Sequence, residues 1–197
     1  MVWPFSGKGK AADALTTLSA PSWHCASCGG EHHGLIDLAS RAPDYWPSHD
    51  PYEPNDALPA ALAEERNFLS EDFCVIAGKH FFVRSVLEIP VRGLDQVFAF
   101  GCWGTLSRDH FDAYAARFDS GDYGEEGPWY SWLSNILRPY VADLPLGCAM
   151  HLRSGRQRPR LRVEDDHHPL AIAQEVGISP EEMLAIYDTY GHRPEPL

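Results

Sequence analysis

Phe73-Cys74-Val75-Ile76-Ala77-Gly78-Lys79-His80-Phe81-Phe82-Val83-Arg84-Ser85-Val86-Leu87-Glu88-Ile89-Pro90-Val91 is the stretch on which the fold turns. Two runs rich in aromatic and β-branched residues flank Gly78-Lys79, which reads as a turn. In the longer run Phe81, Val83, Ser85, Leu87 and Ile89 alternate with Phe82, Arg84, Val86 and Glu88, the period of two that a strand requires. Pro90 fits a strand end or a bulge. A third run, Gln96 to Leu106, is apolar on both faces around Phe98, Phe100, Cys102 and Trp103, so both of its faces are expected to be covered. Three consecutive runs joined by short turns predict an antiparallel β-meander.

Helical patterns surround it, which makes the class α+β. Ser107 is a plausible N-cap, with Asp109 in the first turn, for a helix carrying Phe111, Tyr114, Ala115 and Phe118. Pro128 at a first-turn position, followed by Trp129, Trp132, Leu133, Ile136 and Leu137, predicts a short amphipathic helix stopped before Pro139. Its aromatic stripe reads as core packing in preference to a ligand box. Cys148 to Arg153 and Arg160 to Glu164 predict one more hairpin. The tail predicts two helices, Pro169 to Val176 and a second opened by the capping box Ser179-Pro180-Glu181-Glu182.

On the N-terminal side, Ala60 to Leu69 reads as a helix. Five prolines between Pro43 and Pro59 exclude helix interior and central strand there, and Tyr45, Trp46 and Tyr52 give that extended loop side chains with which to pack along the domain. Residues 1–20 read as an N-terminal arm, with Trp3 and Phe5 available to dock on the body, and residues 21–197 as a single α+β domain.

Between arm and loop lies the chemically densest segment, Trp23-His24-Cys25-Ala26-Ser27-Cys28-Gly29-Gly30-Glu31-His32-His33. Cys-x-x-Cys places two thiolates on one face of a tight turn, and Gly29-Gly30 gives the backbone freedom to fold amides toward the sulfurs. The segment is therefore read as half of a structural zinc site. Haem attachment would need His after the second Cys, where Gly29 stands, and a thioredoxin-like pair would open a helix, for which Gly29-Gly30 is a poor start. An inert or redox pair remains the alternative. The ligands expected are Cys25, Cys28, His32 and Cys74, with His33 an alternative to His32, and such a site would pin the knuckle to the sheet. The competing reading of Cys74 is a small buried hydrophobe.

The chain of 197 residues is long enough to bury a sizeable core without disulfides. Five Cys, an odd number, with no signal-peptide core and no apolar run of membrane-spanning length, indicate a cytoplasmic protein with reduced thiols. A formal charge of -12 argues against nucleic acid and anionic membranes as partners. Residues 171–179 have a helix-turn-helix look, yet Glu181, Glu182 and Asp188 follow where DNA contact would need Lys or Arg.

The exception to the acidity is the hairpin carrying Arg153, Arg156, Arg158, Arg160 and Arg162. It reads either as a charge-protected sheet edge or as a site for an anion, with Arg153, His151 and His168 as candidates. Two functions follow. One is a metal-stapled module binding an unknown protein partner or a small anionic ligand. The other is a small metal- or His-dependent hydrolase using His151, Glu164, His167 or His168, with Arg153 facing an anionic substrate. Asp165 to His168 equally suit a turn in which His168 caps the helix at Pro169. Nucleophile-elbow, zincin, phosphate-loop and dinucleotide motifs are all absent from the sequence, which favours the non-enzyme reading. Convergence of His151, Arg153 and His168 in one cleft would favour the other.

Taken together, Trp23-x-Cys25-x-x-Cys28-Gly29-x-x-His32, Cys74-Val75-Ile76 with Phe81-Phe82-Val83-Arg84 and Leu87-Glu88-Ile89-Pro90-Val91, Trp103 with Leu106-Ser107, Trp132-Leu133-Ser134-Asn135, His151-Leu152-Arg153, and His168-Pro169-Leu170-Ala171 ahead of Gln174 and Gly177-Ile178 resemble the uncharacterised bacterial family called domain of unknown function 2199. The resemblance runs from residue 22 to about residue 179. It implies one compact domain containing the Cys/His knuckle and implies no activity. Cys102 and Cys148 fall outside its pattern, which makes them poorer ligand candidates than Cys74.

Overall fold

The structure, a computed structural model, describes residues 8–142 and 145–195, with side chains from residue 13 onward. Trp3 and Phe5 lie outside the described residues. Helix α1 (Lys8–Ser19) buries Ala14 and Leu18 and rests on the C-terminal helix. Strands β1 (Trp23–His24) and β2 (Glu31–His32) form a two-stranded ribbon of their own, with Trp23 opposite His32. β3 (Leu38–Ala39) starts the main sheet, and a 3-10 turn at Asn55–Ala57 leads into α2 (Leu58–Ala63).

The meander expected from the sequence is present. β5 (Phe73–Ile76), β6 (His80–Pro90) and β7 (Val97–Leu106) pair antiparallel in order, with Cys74 opposite Phe82 and Val86 opposite Gly101. β9 (Gly147–His151) and β10 (Arg160–Val163) make the second hairpin, and β10 joins β6 in parallel through Arg160 and Val86. α3 (Arg108–Arg117) covers β6 and β7, its N-cap Ser107 accepting from the His110 amide. α4 (Pro169–Val176) and α5 (Pro180–Thr189) finish the chain, α5 with the full Ser179/Glu182 capping box.

Two sequence expectations are corrected. The helix expected over Ala60 to Leu69 ends at Ala63, and Phe68–Leu69 is a strand, β4, paired with Val75 and Cys74 of β5. Glu65 takes a positive φ of 51°, which no helix interior tolerates. Arg66 turns to Glu53 and Glu64, and Asn67 Oδ1 accepts from the Ala77 amide. Burial of Phe68 and Leu69 then requires backbone partners that a sheet edge supplies.

The helix expected after Pro128 is likewise a strand. β8 (Trp129–Trp132) pairs with β9, and burial along it alternates from buried Trp129 and Ser131 to exposed Tyr130 and Trp132. The apolar spacing fits a helix as well as a strand, and partner availability decides between them. Beyond β8 the Leu133 amide donates to Leu146 and the Ser134 amide to Trp103, so the extended backbone is satisfied across two neighbours.

These pairings curl the sheet until β8 meets β7 through a bridge between Leu133 and Gly104. Gly104 makes the closure possible. A Cβ there would stand 2.6 Å from Ser131 Oγ and 2.7 Å from Met150 Cε. Inside lies the main core, with Phe98, Phe111, Met150, Leu161 and Tyr187 fully enclosed. A smaller cluster of Leu69, Cys74, Phe82 and Trp103 sits under the proline-rich loop, which packs Trp46 and Tyr52 on it. Buried Arg84 ties that loop down by donating to Ser40 O and Tyr52 Oη. Among the described residues no helix is long and apolar enough to cross a membrane.

Candidate metal centre

The knuckle is built by local geometry. The Gly29 amide donates to Cys25 O at 2.8 Å, closing the Cys-x-x-Cys turn, and Gly29 takes φ +70°, a region where a residue with Cβ is strained. Three amides then point at the sulfurs. Cys28 N and Arg193 N lie 3.4 and 3.3 Å from Cys25 Sγ, and Gly30 N lies 3.4 Å from Cys28 Sγ. Amides aimed at a sulfur favour its anionic form. Burial raises the pKa of the Cys25 thiol, but the amides of Cys28, Ser27 and Arg193 and the Cys28 side chain together outweigh it and pull the value down to about 6.

Two imidazoles complete the group. His32 Nε2 lies 3.3 Å from Cys28 Sγ, and His192 Nδ1 lies 4.0 Å from Cys25 Sγ. One ligand atom from each of Cys25, Cys28, His32 and His192 falls within 4.8 Å of all the others. Zinc–sulfur bonds of about 2.3 Å and zinc–nitrogen bonds of about 2.0 Å give a tetrahedron with edges of about 3.3–3.8 Å. The Cys28 Sγ to His32 Nε2 distance of 3.3 Å matches such an edge and the Cys25 Sγ to His192 Nδ1 distance of 4.0 Å is a little longer, and two thiols with two imidazoles are a donor set suited to a tetrahedral divalent ion. The group can hold a metal ion.

His192 reaches the knuckle because the chain after α5 turns back along β1. Ala26 N donates to Arg193 O at 2.7 Å, Glu195 N donates to His24 O at 2.9 Å, and Cys25 bridges Pro194. Aromatic packing orients the rings. His32 lies 4.5 Å from the Trp23 ring and edge-on to His192 at 5.2 Å, while Trp23 rests on Tyr187 of α5 at 5.7 Å. Tyr187 Oη in turn accepts from Ile36 N and donates to Ile36 O. The knuckle is thus fastened to α5 and its tail, where the sequence suggested a ligand from the sheet.

Cys25, Cys28 and His32, three of the ligands expected from sequence, come together. Cys74 does not join them. It is fully enclosed in the cluster with Leu69, Phe82 and Trp103, where burial raises its thiol pKa strongly, so it fits the small buried hydrophobe. His33 turns away, its Nδ1 3.2 Å from Pro21 O. His192, which stands where the fourth ligand was sought, escaped the sequence reading. The only local sign is its place between Gly191 and Pro194, in a segment unable to continue a helix.

The anion-site candidates are dispersed. Arg153 donates to Glu88 at 3.0 Å and to Arg158 O, and Arg160 reaches the other oxygen of Glu88 at 2.6 Å. Arg158 pairs with Asp72, Arg156 with Asp119 and Arg162 with Glu175. His151 stands opposite Arg160 at one end of the β9/β10 ladder. His168 lies beyond the other end, where its Nδ1 accepts from the Leu170 amide and caps α4.

Fold and site define an α+β protein with a Cys2His2 cluster outside its main sheet, joining the two ends of the described chain. The chain belongs to DUF2199, a family of uncharacterized proteins conserved in bacteria, whose model matches residues 24–178. No curated protein and no solved structure matches it.

Proposed function

We propose that the cluster binds one zinc ion and that the ion is structural, stapling the C-terminal segment to the N-terminal knuckle. The carrying observation is the convergence within 4.8 Å of four ligand atoms from both ends of the chain, with backbone amides already aimed at both sulfurs. Four protein ligands close a tetrahedral shell and leave no position for a reacting water, the arrangement of structural zinc. Thiolate ligands that join segments distant in sequence suit a reducing, cytoplasmic setting, where such a staple takes the place of a disulfide.

On this reading the protein is a zinc-stabilised interaction or ligand-binding domain. The His-dependent hydrolase alternative loses its support in the separation of His151 from His168 and the engagement of Arg153 by Glu88. Metal analysis of protein purified reduced and without chelator tests the proposal. About one zinc per chain, absent from the Cys25→Ser/Cys28→Ser double variant, is expected. A wild-type protein free of metal overturns it.

A further inference from the structure

A cleft opens on the outside of the sheet, at the seam where β8 closes on β7. Its volume is about 680 Å³, within the range of small-molecule sites, roughly 300–1,000 Å³. Tyr45, Phe82 and Trp132 give it three aromatic walls, and its polar groups are the side chains of His80, Thr105 and Ser134 with the Tyr45 hydroxyl and the Trp132 indole N–H. No Asp, Glu, Lys or Arg lines it among the described residues. In a chain of net charge -12 whose arginines are largely held in ion pairs, that wall favours an uncharged occupant.

The site is held rigid from behind. Asn135 Oδ1 accepts from the Trp103 amide, its Nδ2 donates to Ala42 O and to Asp44 Oδ1, and Asp44 Oδ2 accepts from the Ile136 amide. The Trp132-Leu133-Ser134-Asn135 segment is thereby fixed while Trp132 stays 43% exposed and Tyr45 63% exposed. Thr105 Oγ1 accepts the Trp132 amide at 2.9 Å, which leaves its O–H free to donate into the cleft.

We propose that this cleft binds a neutral, planar heteroaromatic molecule carrying a hydrogen-bond acceptor, laid against Trp132 with its acceptor toward the Thr105 hydroxyl. The flat ring suits aromatic walls, and the acceptor answers the Thr105 hydroxyl. Binding here is independent of the metal centre.

The test is a nitrogen–proton NMR titration of the full-length protein at pH 8 with two probes. Coumarin is neutral, planar and bears a carbonyl, and coumarin-3-carboxylate adds only a charged group. Saturable coumarin binding that shifts the Trp132 indole signal is expected, with the carboxylate at least about tenfold weaker because no Lys or Arg among the described residues lines the cleft to meet its charge. Trp132→Ala and Tyr45→Ala, both at exposed positions, each weaken coumarin by about tenfold, as loss of an aromatic stacking surface does. Absent saturation, a preference for the carboxylate, or affinity unchanged in both variants overturns the proposal. So does a concentration-dependent dimer that Trp132→Ala abolishes while coumarin fails to bind, since a second copy would then be the occupant.

Discussion

Replacing His192 by Ala and Cys74 by Ala separates the two candidates for the fourth ligand. With free zinc at a hundred times its dissociation constant, binding to the native state adds about 2.7 kcal/mol of stability. Loss of a direct ligand exceeds the 10–100-fold cost typical of outer-shell changes, so affinity is taken to fall by about a hundredfold. At the same zinc concentration the His192→Ala protein then keeps only about 0.4 kcal/mol of the linkage. The difference of about 2.3 kcal/mol corresponds to roughly 5–9 °C in melting temperature for a chain of this size. Loss of the edge contact between His32 and His192 contributes about 0.5–1.5 kcal/mol with or without metal. Thermal unfolding with zinc and with excess chelator cancels that part, and the difference between the two conditions is the quantity to read. Cys74→Ala removes one buried sulfur from a packed cluster and costs about 1 kcal/mol in both conditions. A chelator effect that survives His192→Ala and vanishes in Cys74→Ala would refute the assignment.

Three further outcomes follow from the same geometry. In native, metal-free protein, alkylation followed by mass spectrometry labels Cys28, whose side chain is exposed, and leaves Cys74, Cys102 and Cys148 unmodified until unfolding, since burial raises all three thiols, Cys148 to about 12. Gly104→Ala pushes a methyl into Ser131 and Met150 at the sheet closure and lowers stability by about 1–3 kcal/mol in urea unfolding; a neutral effect would show that β8 does not close on β7 as described. Burial, with Glu182 nearby, raises Tyr140 to about 12, and burial also raises Tyr187 above its ordinary value near 10. A phenol that ionises more readily in the unfolded chain contributes stability that is fully present below pH 10 and is lost as pH rises toward 12. Absorbance at 295 nm during alkaline titration should show these tyrosines ionising together with unfolding, and ionisation well before the loss of ellipticity would contradict their burial.

The meander was legible because β6 and β7 carry long apolar runs bounded by glycine turns, and no other pairing of such runs is as short-range. Trp129 to Leu137 was not. Trp129, Trp132 and Leu133 fit a helical spacing, while alternate burial of Trp129 and Ser131 fits a strand, and only the arrival of β9 beside them settles which backbone partners exist. Phe68–Leu69 failed for the same reason. Its partner, β5, follows it by only a few residues, but Ala60 to Glu65 look helical and the pattern offers no sign of where the helix stops. The caps at Ser107 and Ser179 are legible, and the cap at His168 is one of two readings the sequence offers, since each is a local interaction between a side chain and the next turn's amides.

The ligand set divides along the same line. Cys25, Cys28 and His32 lie within one turn and the ribbon that follows it, so spacing alone brings their ligand atoms together. Cys74 suits the role by chemistry, as a thiol early in a predicted strand, but a strand whose neighbours bury both faces gives its thiol no route to a knuckle outside the sheet. His192 lies 167 residues from Cys25, and its position depends on α5 packing Tyr187 against Trp23 before the chain doubles back along β1. A ligand delivered by tertiary packing leaves no periodic trace. Its coupling also runs in reverse. If zinc holds His192, the ion stabilises the docking of α5 on the knuckle, and Trp23→Ala, which removes the surface under both His32 and Tyr187, should weaken zinc binding although Trp23 offers no ligand atom. Competition with a colorimetric chelator measures that directly. Unchanged affinity in Trp23→Ala would mean that the knuckle and the tail find each other without the helix, and that the ion alone organises the site.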